Sequence, residues 1–268
     1  MKLNILDISS QKVGEINLPS QFNEEIRPDL IKDAVLAIHS NNRQPYGSMP
    51  EAGKRYSSTL SKRRRRYRGS YGIGISRTPR KIMSRRGTRM AWVGAFAPNT
   101  VGGRRAHPPK SAKIWGKKLN KKERRKAIRV GISATVLSNL VKERGHIVPQ
   151  NYPFIVDKKF EELSKTKEVI ESLKKLGLEK ELERISEKSI RPGKGKARGR
   201  KYRTKTGPLI VVSKESNLMK AAGNLLGIDV INVKNLNAEV LAPGEAMGRL
   251  TLWTTGAIEA LEKENLFK

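Results

Sequence analysis

Apolar and polar positions alternate over residues 2–7 and again over 12–18, on either side of Ser9-Ser10-Gln11, which predicts a short β-hairpin. Pro28 then opens a stretch in which Leu30, Ile31, Ala34, Val35 and Ile38 recur at helical spacing and stop near Asn41. No period of 2 or 3.6 is kept for long between 43 and 118, so this segment is expected to build no core of its own. Beyond it, Ile128, Ile132, Val136 and Leu140 stand four apart. Asn120 and Glu123 precede them in the spacing of a capping box, and Gly145 follows, so a helix is expected over about 120–145. Phe154-Ile155-Val156, Leu209-Ile210-Val211-Val212, Val230-Ile231-Asn232-Val233 and Leu250-Thr251-Leu252-Trp253 read as strands. Helical stretches separate them: Val169, Ile170, Leu173 and Leu176 up to Gly177, a charged helix over 179–186, one near 216–223 and a last over 256–264. Strands alternating with helices predict an α/β fold with an open, mainly parallel sheet covered by helices. Residues 1–42 and 119–268 are expected to form this domain, with 43–118 inserted as a long non-globular loop.

Charge changes the picture of that insert. The chain holds 56 Lys and Arg against 25 Asp and Glu, a net charge of +31. Residues 43–118 carry 21 of the cations and one acid, Glu51, and residues 188–206 carry nine cations and no acid. The remaining 173 residues hold a balance of +2, as an ordinary globular domain does. Repulsion at this density calls for a polyanion. The insert also holds 10 of the 23 glycines and 7 of the 14 aromatic residues. Disordered tails share the glycine and charge but are usually poor in rings. Interleaved Arg and aromatics suit folded RNA, because guanidinium groups grip phosphates and rings stack on unpaired bases. The insert is therefore expected to be loose alone and ordered inside RNA, with a stretched reach bounded at about 120 Å.

The candidate RNA contacts follow from that reading. Arg43, Lys54 and Arg55 open the insert, and Lys62, Arg63, Arg64, Arg65 and Arg66 run into Tyr67, Arg68 and Tyr71. Arg77 and Arg80 come next, then Arg85, Arg86 and Arg89 beside Trp92. Arg104, Arg105, His107, Lys110 and Lys113 lead to Trp115, Lys117 and Lys118. Lys121, Arg124 and Arg125 crowd the first turns of the following helix, where the helix dipole favours anions, so phosphate there would explain them. In the second block Lys194, Lys196, Arg198, Arg200, Lys201 and Arg203 are spaced by glycines that permit close approach to phosphates. Taken alone, 62–66 could be an import signal or a nonspecific patch, but Tyr67-Arg68-Gly69-Ser70-Tyr71 directly after it favours RNA; a flexible linker is the bland alternative for the second block.

Enzyme signatures are weak. Gly72-Ile73-Gly74 continues Ile75-Ser76-Arg77 and lacks the third glycine of a dinucleotide fingerprint. No Gly-Lys pair is followed by Ser or Thr, so there is no P-loop. His39, His107 and His146 lack metal-ligand spacing. His39 reads as cover for a helix end and His146 as a helix C-cap, and the acids of 161–187 read as solvated salt-bridged faces. Zero Cys excludes disulfides, Cys-ligated metals and thiol chemistry. No membrane-length apolar run exists, and Met1–Asp7 offers no apolar core for a signal peptide. Neither catalysis, a cofactor, a metal nor a membrane is expected. An RNA-modifying enzyme with basic arms is the alternative, and DNA compaction a third reading.

Several stretches together carry a family resemblance. Val101-Gly102-Gly103-Arg104-Arg105-Ala106-His107-Pro108-Pro109-Lys110 with Lys113-Ile114-Trp115 is one. Arg191-Pro192-Gly193-Lys194-Gly195-Lys196 with Gly207-Pro208, and Leu241-Ala242-Pro243-Gly244 with Gly248-Arg249 and Leu252-Trp253-Thr254, are the others. In this combination and order, over nearly the whole chain, the sequence resembles the archaeal and eukaryotic form of the large-subunit ribosomal protein four family. The resemblance implies a cytoplasmic, non-catalytic constituent of the large ribosomal subunit that binds its rRNA early in assembly and contacts neighbouring ribosomal proteins. It also implies that the loop 43–118 forms part of the polypeptide exit tunnel wall, where it meets the nascent polypeptide. Its tunnel-facing tip would be Arg85, Arg86, Gly87, Arg89, Met90 and Trp92, although 81–92 departs from the glycine-rich eukaryotic pattern.

Overall fold

A computed structural model describes residues 1–67 and 69–268, and these fall into two compact units, Met1–Asn42 with Lys117–Lys268, and Arg43–Gly116. The first unit opens with β1 (Lys2–Leu6), β2 (Lys12–Asn17) and α1 (Pro28–Asn41). The second unit contains β3 (Arg80–Arg86) and β4 (Arg89–Gly94). The first resumes with α2 (Lys121–Val136), α3 (Ser138–Glu143), β5 (Ile155–Val156), α4 (Thr166–Leu173) and α5 (Glu179–Ser186). There follow β6 (Ser189–Ile190), β7 (Tyr202–Arg203), β8 (Leu209–Val212), α6 (Asn217–Ala222) and β9 (Asp229–Asn232). The chain closes with α7 (Ala238–Leu241), β10 (Thr251–Thr254) and α8 (Thr255–Lys263).

Six strands of the first unit form one sheet in the order β2-β1-β5-β10-β8-β9, with β2 antiparallel to β1 and every other pairing parallel. This is the α/β sheet that the alternation of strands and helices implies. All of Leu209–Val212 and Thr251–Thr254 are buried, as central parallel strands covered on both faces must be. The period of two divides them between layers. Ile210, Val212 and Leu252 pack with Phe154, Leu173, Leu176 and Leu218 on one face. Leu209, Val211 and Trp253 pack with Ile128, Ile132, Ile258 and Leu261 on the other. α1 lies outside this second layer, setting Ile31 and Val35 against Ala127 and Val130.

The helix expected over 120–145 is broken. Leu137 is extended (φ −83°, ψ 98°) and separates α2 from α3. The break shifts the buried position from Leu140, which is half-buried, to Val141, which is fully buried, a one-residue change of phase that an unbroken helix could not make. Asn120 makes no side-chain bond to the helix start, so the capping box does not form.

The second unit has local structure that the missing periodicity hid. β3 and β4 pair antiparallel around the two-residue turn Gly87-Thr88, with Ile82 opposite Trp92 and a bulge between Ile82 and Ser84. Gly87 takes φ +61°, a left-handed conformation that suits glycine in such a turn. Nearby backbones run close together: Ser48 N–H donates to Pro109 O at 3.0 Å, and a Cβ on Gly53 would lie 2.5 Å from the Arg104 backbone. Among the described residues of this unit only Ala95 is buried, so backbone hydrogen bonds and turns give the unit its form and a hydrophobic core does not.

Candidate nucleic-acid interface

Within the second unit, cations and rings that lie far apart in sequence come together. The Arg43 guanidinium lies 3.8 Å from the centre of the Trp115 ring, Lys113 Nζ 4.2 Å from it, and Tyr46 stacks on Trp115 at 5.7 Å between centroids. Attraction of the cations to the ring faces gathers positive charge without any acid. Tyr46 and Trp115 line a cavity of about 670 Å³ together with Arg105, His107, Lys110 and Lys113. Arg77 sits 5.2 Å from the Tyr71 ring and Arg104 5.9 Å from Phe96. Lys81 lies 3.3 Å from the centre of the Tyr56 ring, and it holds the Tyr56 hydroxyl below the usual phenol range through a hydrogen bond and its charge.

The six tip residues Arg85, Arg86, Gly87, Arg89, Met90 and Trp92 all fall on the β3–β4 hairpin, where Arg85 Nε donates to Gly87 O at 3.1 Å. Arg80, at the start of β3, donates through Nη2 to Ser76 O and Ser76 Oγ at 2.9 and 2.7 Å. Lys54, Arg55 and Lys62 to Tyr67 are exposed, and Arg68 lies outside the described residues.

In the first unit the second basic block folds into a small hairpin, which its composition did not announce. Ser189 pairs with Arg203 and Ile190 with Tyr202, and Arg191 N–H donates to Lys201 O at 2.8 Å. Lys194, Lys196, Arg198, Arg200, Lys201 and Arg203 are exposed around it. Lys117 N–H donates to Asn41 Oδ1 at 3.1 Å, so the two chain segments flanking 43–116 are tied together. Lys118, Lys121 and Arg124 form no ion pair with an acid among the described residues, and Arg125 Nη1 donates to Lys268 O at 2.7 Å.

Placement of the acids separates two classes of cation. No described residue of the candidate set forms an ion pair with Asp or Glu. Cations outside the set do: Arg129 pairs with Glu24 at 2.6 Å, Arg184 with Glu181 at 2.6 Å and Arg249 with Asp229 at 2.5 Å. The acids are spent on the scaffold, and the candidate surface keeps its full charge.

Two readings of the acids change, and one histidine gains a second role. Glu181 and Glu161 are buried, not solvated. Glu181 accepts from Ile147 N–H at 3.0 Å and from Arg184, and contacts His146 Nδ1 at 2.7 Å. Burial would raise its carboxyl, but these hydrogen bonds outweigh burial and hold it at about 2. Burial, aided by Arg184 and Arg144, lowers His146. His146 therefore does two things: its backbone N–H caps α3 by donating to Val141 O at 3.3 Å, beside Gly145 N–H to Lys142 O at 2.8 Å, and its imidazole is a core partner of Glu181. Glu161 accepts from Ser213 N–H, Ser213 Oγ and Thr254 Oγ1 at the end of β10. His39, exposed, reaches Glu239 at 3.1 Å. Sequence reasoning also missed the task of Arg249, which is 1% exposed and donates to the carbonyls of Gly207 and Val240 as well as to Asp229. Its place in an otherwise apolar stretch was the available signal. Among the described residues no group of three His, Asp or Glu could hold a metal, and no helix is long and apolar enough to cross a membrane.

Comparison with known proteins adds to the geometry. The chain matches the Ribosomal protein L4/L1 family over residues 16–264. It is 51% identical over 268 residues to large ribosomal subunit protein uL4 of Nanoarchaeum equitans, covering all of both chains. It is 47% identical to the uL4 of Methanococcoides burtonii over 97% of both chains. The uL4 of Archaeoglobus fulgidus is 43% identical over 97% of this chain and 98% of its own.

Proposed function

This chain belongs to the Ribosomal protein L4/L1 family, and on that premise we propose that it is a structural constituent of the large ribosomal subunit that holds rRNA through cations its own acids leave free. It works as a scaffold in the cytoplasmic ribosome and not as an enzyme. The observation that carries the RNA reading is the sorting of acids: Glu24, Glu181 and Asp229 neutralise scaffold arginines, whereas the cations of 43–118 and 188–206 have no acidic partner among the described residues, save Lys205 with Glu187. Phosphate is the counter-charge that such surfaces suit, and the ring–cation pairs around Trp115 and Tyr71 supply planes for unpaired bases.

In this reading residues 43–118 and 188–206 are the two RNA-binding segments of an α/β domain formed by 1–42 and 119–268. They bind early enough to exclude competing RNA folds. The β3–β4 hairpin forms part of the exit tunnel wall, its turn at Arg86–Arg89 nearest the nascent polypeptide, and neighbouring proteins of the subunit complete the surroundings.

Two measurements test this. Affinity of the full chain for archaeal large-subunit rRNA should fall at least about 10³-fold between roughly 50 and 200 mM salt, as six or more neutralised phosphates require. A flat response removes the electrostatic basis. Sedimentation of cell lysate should place the protein with large subunits at low and high salt. Migration as free protein at both would contradict the assignment.

A further inference from the structure

The second unit also holds a cavity of about 850 Å³ that charge alone does not account for. That volume lies within the roughly 300–1,000 Å³ usual for small-ligand sites. Ile82, Met90 and Trp92 give it an apolar side, and Trp92 stays 54% exposed. Serine and threonine hydroxyls line much of the remainder, Arg80 and Lys81 contribute the cations, and no carboxylate appears among the described lining residues. Three polar atoms of this lining, Ser58 Oγ, Ser61 Oγ and Arg80 Nε, are shut off from water without a hydrogen-bond partner among the described residues. Such atoms are uncommon in folded chains, because each gives up its bond with water and gains nothing in return. Three around one cavity point to a missing partner that offers donors, an acceptor anion and a flat apolar face together.

Building on the RNA reading above, we propose that this cavity seats one unstacked ribonucleotide of the bound rRNA. The base lies against Trp92 and Met90, where stacking tolerates any base. Ser58 and Ser61 line the cavity with hydroxyls tucked out of reach of water, and by turning about χ1 each trades an unbonded position for a bond to the ribose 2′-hydroxyl or a base edge, since hydroxyls both donate and accept. The phosphate lies toward Lys81, steadied over the Tyr56 ring, and toward the guanidinium of Arg80, whose Nε gains a partner once the side chain shifts to meet it. Trp92 then serves the RNA side of the hairpin, which leaves the turn to face the tunnel.

The full chain and its Ser58→Ala/Ser61→Ala double variant should be compared for binding to archaeal large-subunit rRNA across a salt series. The variant is expected to bind about tenfold more weakly, from two lost hydrogen bonds. Its salt dependence should match the original, because no phosphate contact is removed. Its melting temperature without RNA should be unchanged or higher, since two unpaired buried hydroxyls are gone. Trp92→Leu should weaken binding similarly, and ultraviolet cross-linking of the native complex should attach a nucleotide to the peptide containing Met90 and Trp92. If the native chain binds rRNA while both variants bind equally well and no such adduct forms, the nucleotide seat is wrong and the RNA reading stands. If the native chain fails to bind rRNA at all, the RNA reading falls and takes the seat with it. Saturable binding of free adenosine or uridine monophosphate at micromolar concentration would overturn the rRNA source in favour of a free nucleotide.

Discussion

Arg249 and Arg86 carry the same guanidinium in opposite circumstances. Arg249 is 1% exposed and donates to Gly207 O, Val240 O and Asp229, while Arg86 stands exposed beside the Gly87 turn with no acid near it. Replacing Arg249 with Met would leave those carbonyls unpaired inside the first unit, so a loss of about 3 kcal/mol is expected in chemical denaturation. Arg86→Met should leave the same curve unmoved, because the side chain is exposed and has no acidic partner among the described residues. Glu181 gives a pH signature. Its carboxyl is held at about 2, well below the ordinary value of 4.5, so the stability it contributes is full above about pH 4.5 and is lost as pH falls toward 2. His146, lowered by burial, acts in the same direction, because the unfolded chain takes up that proton more readily below pH 6.5. Glu181→Gln should therefore melt well below the native protein at pH 7, and the gap should narrow as pH drops from 4.5 to 2. A gap independent of pH would mean that the charge on Glu181 is not what matters.

At the scale of elements, the scaffold was legible wherever burial imposes a period. Leu209–Val212 is apolar throughout because both its faces are covered, and α1 shows its stripe because only one face is. The β3–β4 hairpin was hidden for the opposite reason. With Arg and Lys on both faces and Ile82, Met83 and Trp92 all exposed, no alternation marks the strands, and only the Gly87-Thr88 turn between two β-forming runs signalled it. The His146–Glu181–Arg184 cluster was equally out of sight, since His146 follows α3 while Glu181 and Arg184 share α5, and only the fold brings the histidine to that pair. Because 43–116 buries only Ala95 among its described residues, and Asn41 and Lys117 are already bonded, exchanging 44–115 for a short Gly-Ser linker should move the melting temperature of the remaining domain by no more than a few degrees. Calorimetry of the two proteins would decide this, and a collapse of the transition would show that the insert is needed for the fold.

Taken as a whole, the molecule carries +31 charges that repel one another until something anionic arrives. Raising ionic strength should therefore stabilise the free chain, by screening, while it weakens the rRNA complex, by removing the gain from counterion release. Thermal melts and binding titrations over the same salt series should move in opposite directions. The sheet adds a matter of timing. β1 finds its parallel neighbour in β5, where Ile5 meets Ile155 some 150 residues further on, and β10 comes later still. At roughly 5–20 residues per second of synthesis, the amino-terminal hairpin waits about 8–30 s before the strand that completes its setting has been made. The cationic insert is thus fully synthesised on the growing chain while the body meant to carry it is still half-built.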